Sequence, residues 1–144
     1  MLLMSSLRVA VAVAVVLACC GAALAQTRFR TMNQSTTDGR EKTSIVQHVL
    51  VTGPADEATI REEMLDRLDR ARARTGFLYR DAASEILIHI YVTETEAHAA
   101  DGRWVARLVY DAALGEEPAI SFDQERLRTR AARTSPATSS EAAR

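Results

Sequence analysis

Apolar residues alternate with polar ones in four short segments of the chain and recur at helical spacing in one longer segment. The alternating segments cover residues 44–52, 85–93, 103–111 and 119–122. A period of two predicts strands that turn one face towards a core. In the longer segment Ile60, Met64, Leu68 and Ala71 share one helical face, with Asp56 as the N-cap and Gly76 as the stop.

Two further signals complete the order of elements. Thr93 and Glu96 have capping-box spacing, which predicts a short helical turn before Asp101 and Gly102. The order is therefore β-α-β-short α-β-β. It predicts an α+β fold in which one main helix packs on one face of a small mixed sheet.

One helix covers only one face of such a sheet, so the other face meets solvent or a partner. Arg107 lies in the middle of its strand and assigns its side of the sheet to this open face. The residues expected there are Leu87, His89, Tyr91, Val105, Arg107 and Val109. Because amphipathic aromatics and arginine are enriched at interfaces, Leu87, His89, Tyr91 and Arg107 are the predicted partner-binding residues. An ordinary half-solvated sheet face is the alternative.

Trp104 is expected to lie on the covered side, as the central core aromatic. The order of elements otherwise leaves the strand pairing open.

The ends of the chain differ in composition from its middle. Arg8 precedes an uncharged apolar run that ends in Ala23, Leu24 and Ala25, the pattern of a secretory signal peptide. The sequence thus predicts a signal peptide over 1–25, a flexible leader over 26–43, one α+β domain over 44–125 and a disordered basic tail over 126–144. The protein is expected to be exported, to the periplasm or outside the cell.

Two alternatives to cleavage after Ala25 remain open. The residues before Cys19 resemble a lipobox, which would place lipid on Cys19 and anchor the protein to the envelope. An uncleaved apolar run would also hold it at a membrane. Cleavage after Ala25 instead removes Cys19 and Cys20, the only cysteines, so a mature chain starting at Gln26 contains no disulfide.

Charge and motifs limit the classes of function. The 144 residues carry a formal net charge of -1, so no nucleic-acid partner is expected, although four tail arginines make one end locally positive. The sequence has no nucleophile elbow, phosphate-binding glycine loop or HExxH motif, and we expect no catalytic residues and no cofactor. His48 and His89 lie in two predicted strands and would meet if those strands pair in register. They are the candidate ligands of a metal-binding protein or enzyme.

A loose motif runs through the predicted domain. It joins a strand ending in Ile90-Tyr91-Val92, an alanine-rich connector around His98 and a Gly102-Arg103-Trp104 strand start. In this the chain resembles small bacterial and phage domains of unknown function, over about residues 44–125. The resemblance implies a similar α+β fold and carries over no activity. The sequence therefore favours an exported, non-enzymatic binding module whose partner is a protein or an envelope component.

Overall fold

The computed structural model describes residues 26–115 and 117–134 as a five-stranded mixed sheet with three helices. The strands are β1 (Arg28–Asp38), β2 (Thr43–Thr52), β3 (Glu85–Tyr91), β4 (Ala106–Asp111) and β5 (Ala119–Phe122), and they lie side by side in this order. Only β2 and β3 are parallel. The helices are α1 (Glu57–Arg72), α2 (Glu94–Ala99) and α3 (Gln124–Thr134). The predicted α+β class, with one main helix on a small mixed sheet, is confirmed.

Helix α1 connects the two parallel strands, a connection that requires a crossover. Asp56 caps it by accepting a hydrogen bond of 2.8 Å from the backbone N–H of Thr59. Its buried residues are the four that the sequence predicted: Ile60, Met64, Leu68 and Ala71. The helix ends at Arg72, four residues before Gly76.

The main core lies between α1 and one face of the sheet. Ile86, Ile88 and Ile90 of β3 are fully buried there, as is Leu108 of β4. The prediction for Trp104 is wrong. Its side chain is only half-buried and lies outside this core cluster, whereas Tyr110 belongs to it. Trp104 precedes the first residue of β4, so the alternation of that strand does not place it.

Strand β1 replaces most of the predicted flexible leader, so that prediction is wrong for residues 28–38. The strand pairs antiparallel with β2 from Arg28 to Asp38, with a bulge between Thr31 and Asn33. Phe29 packs against the main core, and Arg67 of α1 donates a hydrogen bond of 2.8 Å to the Thr31 hydroxyl. An edge strand of this kind needs few large apolar side chains, because ladder hydrogen bonds and contacts on one face hold it.

Helix α3 replaces the first part of the predicted disordered tail, which is wrong for residues 126–134. Asp123 accepts a hydrogen bond of 3.0 Å from the backbone N–H of Arg126 at the start of the helix. Leu127 packs against the main core, and Arg126 forms an ion pair with Glu96 of α2. These contacts hold a segment whose composition alone favours disorder.

Several predictions lie outside the described residues. They concern the signal peptide over 1–25, lipid on Cys19 and the end of the tail over 135–144. Within the part of the chain that the structure describes, no helix is long and apolar enough to cross a membrane.

Candidate functional site

The strand register brings five polar residues into one line across the sheet, on the face opposite α1. Asn33 is paired with His48, His48 with His89, His89 with Arg107, and Arg107 with Ser121. These residues alternate along their strands with the side chains of the main core, which fixes the face. We call His48, His89 and Arg107, the ionisable members of this line, the basic row.

The two histidines of the basic row are close neighbours. Their ring centroids lie 5.3 Å apart, and Nδ1 of His48 lies 3.1 Å from the hydroxyl of Tyr91. The sequence-based expectation that His48 and His89 would meet if their strands paired in register is therefore confirmed. This contact with the Tyr91 hydroxyl orients the His48 ring. The second ring nitrogen of His48, Nε2, does not take part in it.

Burial keeps both imidazoles in the neutral form near neutral pH. It lowers the pKa of His48 below its ordinary value. It also lowers the pKa of His89 to about 4, with smaller contributions from the charges of His48 and Arg107. Burial likewise raises the pKa of Tyr91, helped by the nearby carboxylates of Asp101 and Glu96. The charge on the basic row near pH 7 is thus that of Arg107.

Two polar atoms of the basic row have no hydrogen-bond partner among the described residues. They are Nδ1 of His89 and Nε of Arg107, and both atoms are buried although the residues are only half-buried. The residues face each other across β3 and β4. A buried polar group without a partner is costly and uncommon in folded proteins, so these two neighbouring residues are the least satisfied polar position of the basic row.

Two more rows follow the basic row along the strands. The first is two residues away from it, and the second is two residues beyond the first. The first is apolar and consists of Val46, Leu87 and Val109, all half-buried. The second is polar and contains Ser44, Glu85 and Asp111. Its acids already have partners: Glu85 accepts a hydrogen bond of 2.9 Å from Ser44 and pairs with Lys42, and Asp111 accepts one from the backbone of Ala113.

The other end of this face is closed by α2. Thr93 caps the helix by accepting a hydrogen bond of 3.3 Å from the backbone N–H of Glu96, which confirms the predicted short helical turn. The helix contacts β1, β2 and β3. Leu50, Tyr91 and Ala97 are buried there, outside the main core cluster.

The predicted contact face therefore needs correction at two positions. Tyr91 points to the predicted side, but only 1% of its surface is exposed because α2 covers it. Val105 is fully buried in the main core, since it precedes the regular part of β4. Leu87, His89, Arg107 and Val109 are half-exposed on the face as expected.

Sequence reasoning missed Asn33 and Ser121 as members of the polar line. Both are exposed, and both are placed by register alone. The sequence does indicate the face of Ser121, because this residue lies between the apolar Ile120 and Phe122 in an alternating strand. Asn33 gave no such signal, because the bulge in β1 shifts its parity.

Within residues 26–115 and 117–134 no group of three or more histidines, cysteines or carboxylates is arranged to hold a metal ion. His48 and His89 together supply two nitrogen ligands. Arg107 stands next to His89 and adds a positive charge, which opposes a cation at this position.

The resemblance to small bacterial and phage domains stays a prediction. Comparison with known proteins identifies no family profile, no curated protein and no solved structure that matches this chain.

Proposed function

We propose that the protein is an exported, non-enzymatic binding module that holds a partner protein on the face formed by the basic row and the apolar row. The observation that carries the proposal is the pair of unpartnered buried atoms on His89 and Arg107, which lie on neighbouring strands. Half-buried Leu87 and Val109 beside them supply apolar contact area. Arginine is enriched among the residues that dominate binding energy, and surrounding side chains that exclude water from it strengthen such a contact.

A binding role fits the state of the histidines better than a catalytic one. A general acid or base works best when its pKa lies near the working pH. His89, with a pKa of about 4, stays neutral near pH 7 and has little tendency to take up a proton. Neutral rings with fixed hydrogen-bonding atoms instead suit recognition of a partner.

Export is the second part of the proposal, and it rests on the sequence of residues 1–25. We place the protein in the periplasm or outside the cell after cleavage before Gln26. Attachment to the envelope through lipid on Cys19 is the alternative. Mass spectrometry of the N-terminus separates the two, because a chain that starts at Gln26 excludes lipid on Cys19.

Site-specific photocrosslinking in the source cells tests the binding role. Benzoylphenylalanine replaces Val109 on the proposed face, or Leu65 on the outer side of α1 as the control. We expect covalent adducts with a defined protein from the Val109 position, and a decrease of these adducts when Arg107→Gln is added. Equal adducts from both positions, or none from the Val109 position, contradict the proposal.

A second candidate function is metal binding by His48 and His89, favoured by their 5.3 Å ring separation. Neutral imidazoles offer the lone pairs that Zn²⁺ and Cu²⁺ require. Calorimetric titration with each metal tests it, with His89→Gln as the variant and exposed His98→Gln as the control. Binding that is unchanged in His89→Gln rejects the site.

A further inference from the structure

We infer that the partner presents an extended segment in which an acidic residue and an apolar residue are two positions apart, with the acid on Arg107 and the apolar side chain on the apolar row. This inference rests on the proposed function and specifies the chemistry of the partner. It follows from the charge, the unpartnered atoms and the spacing of the two rows.

The charge of the basic row selects a carboxylate. Arg107 has a buried Nε donor without a partner, and no acidic residue forms an ion pair with it in the part of the chain that the structure describes. The groups around it are the neutral His89 on β3 and exposed Ser121 on β5. A carboxylate accepts hydrogen bonds from a guanidinium in a short, charge-assisted geometry. It also lies beside the neutral imidazole of His89, which has one N–H donor in either tautomer.

The apolar row determines what surrounds the carboxylate. Leu87 and Val109 are directly paired across β3 and β4, as are His89 and Arg107. The two pairs are two residues apart along each strand, a distance of about 6.8 Å. In an extended segment, residues i and i+2 point to the same side and are separated by the same distance. An acid at i therefore reaches Arg107 while an apolar side chain at i+2 lies on Leu87 and Val109.

The remaining surroundings fix the position of the acid. Beyond the apolar row lie Glu85 and Asp111, whose carboxylates repel an acidic side chain of the partner at that position. On the other side α2 closes the face over Tyr91. Among the three rows, the basic row is thus the one that accepts an acid, and its only open neighbour is apolar.

The test is a titration of the isotopically labelled protein, as isolated from expressing cells, with three short peptides followed by NMR. The first, Ac-Ser-Glu-Ser-Leu-Ser-NH₂, has the proposed spacing. The second replaces Glu with Gln, and the third, Ac-Ser-Glu-Leu-Ser-Ser-NH₂, puts the two side chains on opposite sides. We expect the first peptide to shift the amide signals of β3 and β4, and to bind at least about fivefold more tightly than the other two.

Protein variants complete the test. Arg107→Gln should weaken binding of the first peptide about tenfold, Arg107→Lys should weaken it less, and Arg70→Gln on the other side of the molecule should not change it. Circular dichroism confirms that each variant is folded. Equal binding of the Gln peptide, equal binding of the adjacent-spacing peptide, or no effect of Arg107→Gln overturns the inference.

Two small acids separate the source of the carboxylate. If hexanoate binds as tightly as the first peptide, the occupant is a small organic acid, and if inorganic phosphate does so, it is a free oxyanion. Either result overturns the peptide assignment. Crosslinked adducts from the Val109 position without peptide binding would leave the proposed function intact and reject only this recognition rule.

Discussion

His48 and His89 occupy directly paired positions on adjacent parallel strands, with their ring centroids 5.3 Å apart. Burial opposes the protonation of both imidazoles, and the charge of a protonated His48 adds to this effect at His89. The basic row therefore carries only the charge of Arg107 near pH 7, and it gains further positive charge only in acid. The stability of the fold should therefore depend on the protonation of these histidines.

Acidification should destabilise the fold through His89. Its pKa is lowered from 6.5 to about 4 in the folded state, so between these values the unfolded chain binds the extra proton. The free energy of unfolding should fall by roughly 2 kcal/mol as the pH decreases from 6.5 to 4. Urea unfolding at a series of pH values measures this.

Matched variants separate the contribution of His89 to the pH dependence of stability from that of the carboxylates, which also bind protons in acid. His89→Gln should show a flatter pH dependence than the wild type, whereas exposed His98→Gln should keep the wild-type slope. An identical slope in His89→Gln would show that His89 is protonated equally in both states.

Tyr91 should contribute to stability rather than directly to partner binding. Tyr91→Ala empties a fully buried position below α2 and should cost about 3–5 kcal/mol. Tyr91→Phe removes only the hydroxyl that bonds His48 and should cost about 1 kcal/mol. Urea unfolding measures both. Exposed Tyr79→Phe is the control and should have no effect; equal losses in the two Tyr91 variants would contradict this account.

The sequence predicted the face of each side chain where a strand is regular. Alternation placed Ile86, Ile88 and Ile90 in the core and His89 on the other side, and the structure agrees. The same parity put Tyr91 beside His89. It could not show that α2 folds back over Tyr91, because that contact depends on the turn after the strand rather than on its period.

The hydrophobic pattern did not predict elements that are irregular or that bury a single apolar side chain. The bulge at Met32 shifts the alternation of β1, so the apolar Phe29 and Met32 show no common period. In α3 only Leu127 packs against the core, and the rest of the helix is held by polar contacts such as that of Arg126 with Glu96. Both elements are held by contacts with other parts of the fold, which their own sequences do not show.

Strand β1 should be a stable part of the fold. Hydrogen exchange should protect its amides that bond to β2, while amides of the exposed segment 79–82 exchange faster. Phe29→Ala removes a half-buried ring from the core edge and should lower the free energy of unfolding by roughly 2 kcal/mol. Exposed Leu78→Ala is the control, with an expected loss near zero. Exchange of β1 as fast as that of the segment would instead support a flexible leader.

The ion pair between Arg126 and Glu96 should hold α3 against α2. The two side chains are 27% and 12% exposed, so solvent screens them less than the surface pair of Arg70 and Asp66, at 63% and 61%. Oε2 of Glu96 is already buried without a partner among the described residues. Arg126→Ala removes the ion-pair partner of Glu96 and should cost about 2 kcal/mol, against less than about 0.5 kcal/mol for Arg70→Ala.

A double-mutant cycle, measured by urea unfolding, separates the charge from the packing of the arginine stem. If the ion pair is responsible, Arg126→Ala should cost much less in a Glu96→Gln background, because the neutral amide needs no counter-charge. An equal cost in both backgrounds would assign the effect to the stem instead. Glu96 also helps to raise the pKa of Tyr91. The cycle therefore measures the electrostatic coupling of α3 to α2, the helix that closes this end of the face.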